Sequence, residues 1–341
     1  MDGKFKAFAS PEELNQGQLD LVVAGTKDGV LMVEAGANEV SEKQMAEAID
    51  WGYKAIQPAI KLQQELVKKL APPKQEFTLV LPDAAIQADV NQWLEGKIGD
   101  DLRKPYPERN VLVQRLKDEM HDHFASKMAA DQDYLRDDFE EAFMAALHKD
   151  VREGIVKDGI RPDGRKLTEI RPIECEVSVL PRVHGSSLFS RGLTQAINAV
   201  TLAPLSYVQL IDTMEKEGER RYIHHYNAPG YTVGEVKRLG SPGRREIGHG
   251  YLAERAVSAV LPSEEDFPYM IRSVTEIMSQ NGSTSMAATC SSWMALLDAG
   301  VPLKAPVSGI AMGLMLDGGQ AYVLSDIADA EDFAGDMDFK V

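Results

Sequence analysis

The chain has 341 residues, 53 acidic against 37 basic side chains and a formal net charge of −16. At roughly 100–200 residues per domain, that length predicts two or three domains; 44% hydrophobic and 26% charged residues exclude a largely disordered chain. The acidic balance argues against a generally basic coat for duplex nucleic acid, because non-specific affinity comes mostly from Lys and Arg neutralising phosphates, yet it leaves room for a local basic groove.

Two cysteines, Cys175 and Cys290, lie far apart without CxxC spacing. A disulfide framework and a Cys-rich zinc site are therefore not expected, and a reducing cytoplasm is the default setting. No stretch approaches 18 apolar residues, and the N-terminal MDGKFKAFASPEEL has no apolar run of a signal peptide. A soluble cytoplasmic protein without a membrane partner is expected.

In chain order, two β-prone runs within residues 19–37 flank Lys27-Asp28-Gly29 and predict a hairpin. Ser41 with Gln44 forms a capping box, and Met45, Ile49, Tyr53, Ile56 and Ile60 then recur at helical spacing. Ala71-Pro72-Pro73 stops that helix and marks a boundary. Residues 83–150 hold 16 Asp/Glu against 9 Lys/Arg and predict a small acidic helical domain, with helices over 110–123 and 134–149. His121-Asp122-His123 does not share a helix face and reads as solvated surface.

From about residue 160 the texture changes. Arg161-Pro162-Asp163-Gly164-Arg165 reads as a turn, followed by strands near 174–180 and 195–202, a helix near 246–260 and a strand near 269–278. A helix over 284–299 carries an apolar stripe of Met286, Cys290, Trp293 and Leu297, which makes Cys290 a core residue, and Gly300 with Pro302 stops it. A hairpin turns at Asp317-Gly318-Gly319-Gln320. Leu19-Asp20-Leu21-Val22-Val23 echoes Met337-Asp338-Phe339-Lys340-Val341, as if one kind of domain occurred twice.

The densest chemical feature is residues 331–340. Period-two alternation in a strand puts Asp336, Asp338 and Lys340 on one face, and Met337, Phe339 and Val341 on the other, free to anchor in a core. Asp332 on the preceding loop can fold back to join Asp338. Paired carboxylates suit Mg²⁺ or Mn²⁺, and a nearby Lys can hold a phosphate oxygen; an ordinary charged strand face is the alternative. Ser283, Thr284 and Ser285 behind Gly282 open a helix, where free N–H groups and hydroxyls can cradle an anion or simply cap the helix. Arg244 and Arg245 suit phosphate oxygens, and His249 follows as a donor or a structural histidine. Residues 182–255 carry 10 Lys/Arg against 7 Asp/Glu and are locally basic. His184–Gly192 can line a nucleotide path, with Phe189 either stacked on a base or in the core.

These motifs together resemble the polynucleotide phosphorylase branch of the RNase PH family. The matching stretches are RPDGR at 161–165, HGSSLFSRGLTQA at 184–196, HYNAPGYTVGE at 225–235, GSPGRREIGHG at 240–250, NGSTSMA at 281–287, DAGVPLKAPVSGIAMGL at 298–314 and SDIADAEDFAGDMDFKV at 325–341. The resemblance implies an α+β chain: the C-terminal part of a first RNase PH-like domain over 1–72, an acidic all-helical domain over 73–155, and an incomplete second RNase PH-like domain, the catalytic β-α-β copy, over 156–341. It implies phosphorolytic 3′→5′ degradation of single-stranded RNA by inorganic phosphate to nucleoside diphosphates, reversible as polymerisation, in a homotrimer that can join RNA-degradation complexes. Asp332 and Asp338 would hold Mg²⁺ (or Mn²⁺) with Lys340 beside it. Ser283, Thr284 and Ser285 would bind the attacking phosphate, and Arg244, Arg245 and His249 would contact phosphate or RNA. Thr284 stands where the family commonly has Ser. A non-catalytic RNase PH-like ring subunit and a hydrolytic metal-dependent ribonuclease are the alternatives.

Overall fold

A computed structural model describes residues 3–78, 82–129, 133–214, 217–238 and 240–341. The chain divides into two units, Met1–Leu79 and Val80–Val341. In the first, α1 (Pro11–Gln16) precedes the antiparallel hairpin of β1 (Leu19–Gly25) and β2 (Val30–Ala37), and α2 (Glu42–Leu70) follows. The Ser41–Gln44 capping box starts α2, and Ala71 in a left-handed conformation ends it. The expected stripe on α2 is half-buried against the hairpin. Gly52 allows this approach, since a Cβ there would lie 2.9 Å from Val23. Tyr53 donates to the Lys27 carbonyl at 2.9 Å and pins the hairpin tip. Among the described residues of this unit, Ala48 is the one buried hydrophobic side chain.

The second unit begins with α3 (Ala84–Leu94), α4 (Glu108–Ala129) and α5 (Asp133–Glu153). Asp83 caps α3 through the N–H groups of Ala85 and Ile86. Val90, Leu94, Met120, Phe124, Phe139 and Phe143 share a core among the three helices. The predicted helices are therefore present, longer than the sequence pattern outlined. His121 faces Glu140 at 3.3 Å and His123 stacks on Trp93.

The sheets follow. β3 (Ile173–Val177), β4 (Gly185–Arg191), β5 (Thr194–Pro204), β8 (Tyr222–Asn227) and β9 (Tyr269–Ser279) form a five-stranded sheet in the order β3-β4-β5-β9-β8, antiparallel except for the β8–β9 pair. β6 (Gln209–Asp212) and β7 (Glu217–Arg220) make a separate hairpin. α6 (Arg244–Ser258) and α7 (Thr284–Asp298) pack against the large sheet; β10 (Ala311–Asp317), β11 (Gln320–Ser325), α8 (Asp329–Ala334) and β12 (Met337–Lys340) complete the unit, with strand order β11-β10-β12.

Three expectations need correction. α7 is buried on every side from Thr284 to Ser292, whereas Leu297, assigned to its apolar stripe, is 43% exposed. Small side chains allow the all-round burial, and the hydroxyls of Thr289, Ser291 and Ser292 return to carbonyls of the preceding turn. Met337 and Val341 do not anchor in a core: Met337, on the outer strand of the small sheet, is 45% exposed, and Val341, just past that strand, is 65% exposed. The nucleotide-path reading of 184–192 gives way to β4, a buried strand in which Phe189 is core and Arg191 is 3% exposed.

The turn at Arg161 proves to be the foot of a buried ionic network. Arg161 is fully buried and grips Glu331 through Nε at 2.5 Å and Nη2 at 2.6 Å. Its remaining donors reach the carbonyls of Glu169, Ser325 and Asp326. Arg171 holds Asp326 through Nε at 2.9 Å and Nη2 at 2.6 Å, and Arg191 Nε lies 2.9 Å from the same carboxylate. Burial alone would raise the Asp326 carboxyl; Arg171 and Arg191 outweigh it and hold the group below the usual carboxylate range. Losing one partner leaves an uncompensated buried charge, which costs about 3–5 kcal/mol. Glu331→Gln should lower the urea-unfolding midpoint accordingly, whereas a midpoint within error of the parent would show that the pair carries no such weight.

A second polar band crosses the sheet–helix interface. Asn198 donates to Thr275 and Ser292, Ser273 donates to Asn198, and His224 Nε2 lies 2.8 Å from Ser292 Oγ. Burial pushes His224 down to about 4, so the unfolded chain takes up the proton first. Stability is then complete above about pH 6.5 and falls as the pH drops towards 4, by up to about 1.4 kcal/mol per pH unit from this group. Denaturant titrations from pH 7.5 to 4.5 should show at least that slope, and His224→Gln should reduce it by this group's share.

Candidate active site

The loop before α7 and the segment around α8 meet through their backbones. Gly282 has φ +82°, and a Cβ there would lie 2.7 Å from the Asp329 nitrogen, so only glycine allows this contact. Ser283 follows at φ 59°, turning the chain into α7 without a side-chain cap. The buried arginines hold both segments. Arg171 donates to the Asn281 carbonyl at 2.6 Å and Arg191 to the Ser283 carbonyl at 2.9 Å, while both face Asp326.

The three hydroxyls are adjacent but have different partners. Ser283 Oγ donates to the Ile327 carbonyl at 3.2 Å, and Thr284 Oγ1 accepts from the Tyr226 hydroxyl at 2.7 Å. Ser285 Oγ, in a residue 1% exposed, has no hydrogen-bond partner, and neither does the buried side-chain nitrogen of Asn281. Buried polar groups are normally satisfied. These two orphans at the N-terminus of a 15-residue helix, whose first N–H groups have no intrahelical acceptor, suit an anion.

α6 brings the cations. His249 lies edge-on to Tyr226 with ring centroids 5.1 Å apart, and its Nδ1 is buried without a partner. Burial, with Arg245 and Lys340 nearby, pushes its imidazole down to about 4, so it is neutral at pH 7. Arg245 also lies close enough to Asp329 to favour its charged form. Arg244 stands exposed at the start of α6. The electrostatic neighbourhood of His249 thus includes Arg245 and Lys340, from two distant stretches of sequence.

The carboxylates follow on α8 and β12. Asp332 is exposed, one residue beyond Glu331, which is buried against Arg161 and accepts from the Ala328 N–H at 2.7 Å. Asp338 pairs with Lys340. Asp336, expected on the same face as these two, lies before the strand and pairs with Arg152 at 2.8 Å. Asp329, which the sequence reading missed, is raised by burial and by the charge of Asp332. Its i, i+3 spacing from Asp332 on a helix was the available signal.

Among the described residues, no group of three His, Cys, Asp or Glu is assembled as a metal cage. The oxygen donors nevertheless fit a hard cation, since Mg²⁺ commonly takes one or two carboxylates and completes its shell with water and phosphate oxygens. The mutual repulsion of Asp329 and Asp332 is a charge that such a cation would relieve. A cleft of about 850 Å³ in the first unit, lined in part by Phe5, Leu14 and Trp51, contains none of the candidate residues.

Comparison with known proteins identifies the family of the chain. Residues 1–55 match the model of the 3′ exoribonuclease family, domain 2, and residues 169–302 match that of the 3′ exoribonuclease family, domain 1. A polyribonucleotide nucleotidyltransferase of Chloroflexus aggregans is 47% identical over 344 residues, covering 100% of this chain and 46% of the relative. One from Streptococcus sanguinis is 46% identical over 348 residues, covering 100% and 47%. The crystal structure of rice Rrp46 aligns at 24% identity with a TM-score of 0.40, over 51% of this chain and 76% of that one. The chain spans about half the length of the curated relatives it matches. With mixed α+β units matching both domain models, and near-half identity along its whole length, the chain belongs to the RNase PH family of 3′ exoribonucleases.

Proposed function

We propose that this chain carries the active site of a phosphorolytic 3′→5′ exoribonuclease, which in the complete protein degrades single-stranded RNA to nucleoside diphosphates and can run in reverse as a polymerase. The observation that supports it best is the unsatisfied Ser285 hydroxyl at the α7 N-terminus, in a locality that also holds Arg245, His249, Lys340 and the acidic α8 segment. The curated relatives at 46–47% identity bear the name polyribonucleotide nucleotidyltransferase, in keeping with this reading.

In this reading, inorganic phosphate sits on the first N–H groups of α7 and the Ser285 hydroxyl, with Ser283 and Thr284 holding the turn. A phosphate oxygen attacks the terminal phosphodiester; the bond to the 3′ oxygen of the preceding nucleotide breaks, and that oxygen takes up a proton. Two anions must approach, so Arg244, Arg245 and Lys340 offset their repulsion and the charge that develops in the transition state. His249 contributes a neutral imidazole to phosphate or RNA. Asp332 and Asp338 would hold a divalent cation, Mg²⁺ or Mn²⁺, which supplies Lewis-acid stabilisation at the scissile phosphate. No protein nucleophile is required.

We also propose the division into 1–72, 73–155 and 156–341, a homotrimeric complete protein in the cytoplasm, and RNA-degradation complexes as its setting. The first copy has Val22 where Lys340 stands in the second and carries no such site. Asp332, Asp338 and Lys340 favour an enzyme over a non-catalytic ring subunit, which has no use for them.

Two measurements test the reading. The complete enzyme, incubated with single-stranded RNA, phosphate and Mg²⁺, should yield nucleoside diphosphates; monophosphates would indicate hydrolysis and overturn it. Asp338→Asn should reduce phosphorolysis by roughly 10²–10³-fold, the usual scale for losing one electrostatic stabiliser of a transition state. Unchanged phosphorolysis would remove Asp338 from the site.

A further inference from the structure

The segment bearing the two proposed cation ligands is held by the helical region that precedes the sheets. Arg152, near the C-terminus of α5 in the helical region, donates from Nη2 to Asp336 Oδ2 at 2.8 Å and to the Leu316 carbonyl, and from Nη1 to the Ala334 carbonyl at 3.4 Å. Asp336 Oδ2 also accepts from the Leu316 N–H at 2.7 Å, and the Asp336 N–H donates to the Leu314 carbonyl at 2.9 Å. One turn earlier on α5, His148 stacks on Phe333, with ring centroids 6.0 Å apart and planes 8° from parallel. These contacts grip residues 333–336, the link between Asp332 on α8 and Asp338 on β12.

The grip is mounted rigidly. Val151 and Ile155, on either side of Arg152, are buried in one core with Met286 of α7, Ala311 and Met315 of β10, and Ile327. The same cluster thus fixes the helix that carries Arg152 and the helix whose N-terminus presents Ser285. The Arg152–Asp336 pair is itself partly exposed, and such a pair alone is worth little. Here one guanidinium ties a carboxylate and two carbonyls across more than 160 positions of sequence, at the bend between two reactive groups.

We infer that Arg152 is a positioning residue: with His148 it sets the separation of Asp332 and Asp338, making the helical region part of the catalytic apparatus and more than a spacer between sheet domains. The inference rests on the phosphorolytic reading above. Arg152 touches no substrate, so its loss should slow the chemical step without weakening binding; displacement of a reacting geometry by about 1 Å can cost on the order of 10²-fold.

The test uses the complete enzyme with Arg152→Met, Arg152→Lys and, as a control on the exposed face of α5, Lys149→Ala. Phosphorolysis kinetics and amide hydrogen exchange are both measured. Arg152→Met should lower kcat about 10- to 100-fold, with KM for RNA and for phosphate within about twofold; it should also speed exchange in peptides covering 333–338 and leave those covering 284–292 unchanged. Arg152→Lys should recover part of kcat, and Lys149→Ala should match the parent. If Arg152→Met does not fold, Asp336→Asn removes the partially exposed partner and carries the same expectations. A folded variant with the parent's kcat overturns the inference, as does a variant that raises KM at constant kcat, since that marks a substrate contact. If the parent itself releases no nucleoside diphosphates, the phosphorolytic reading fails, and the exchange at 333–338 still decides whether Arg152 orders that segment.

Discussion

Four arginines and three carboxylates, mostly buried, set the geometry on which the candidate site depends. Arg161 and Arg165 close on Glu331, Asp163 and Asp326; Arg171 and Arg191 meet at Asp326 and reach on to the carbonyls of Asn281 and Ser283. Moving such charges out of water is expensive, and the opposite charges and most of the donors are matched here, although Arg165 Nη2 and Arg191 Nε have no hydrogen-bond partner. Burial pushes Arg191 down to about 10, yet Asp326 opposes the loss and the group stays charged at neutral pH. The result is a directional lock between two segments with little side-chain bulk of their own, the Gly282 loop and the start of α8.

That lock explains why the chemistry-bearing residues need no apolar anchor. Glu331 is committed to Arg161, so its neighbour Asp332 is presented to solvent. Asp338 and Lys340 lie on a strand whose alternate side chains are largely exposed, and their position follows instead from pairing with β10, where Gly313 faces Asp338 and Ala311 faces Lys340. The cations and the acidic segment are thereby close without cancelling completely. Such a balance suits a reaction between two anions.

Much of this was legible in the sequence. The Lys27–Gly29 hairpin, the Ser41–Gln44 cap, the helix expected over 284–299 and the closing hairpin were all signalled by local turn, cap and periodicity rules, and their ends fall close to where those rules put them. The candidate residues were also legible by type, because hydroxyls, arginines and aspartates in those motifs have few other uses in combination. What local reading could not supply was partnership. RPDGR looked like a turn, and its first arginine is paired with a glutamate 170 positions away. Asp336 belonged to the expected acidic face by alternation, but its partner, Arg152, is 184 positions away. Leu297 fitted a helical stripe that tertiary burial of small residues made irrelevant. Long-range ion pairs leave no periodic trace in sequence, so the frame of the site stayed invisible while its contents did not.

Phosphorolysis at this site requires phosphate and the divalent cation to share one place. The direct measurement is the ³¹P resonance of inorganic phosphate bound to the complete protein, titrated with Mn²⁺, in the parent and in Ser285→Ala. Mn²⁺ should broaden the bound phosphate signal strongly in the parent, and Ser285→Ala should weaken phosphate binding and reduce that effect. Phosphate that binds the parent but is no more broadened than phosphate in free solution would place anion and cation apart and contradict phosphorolysis at this site.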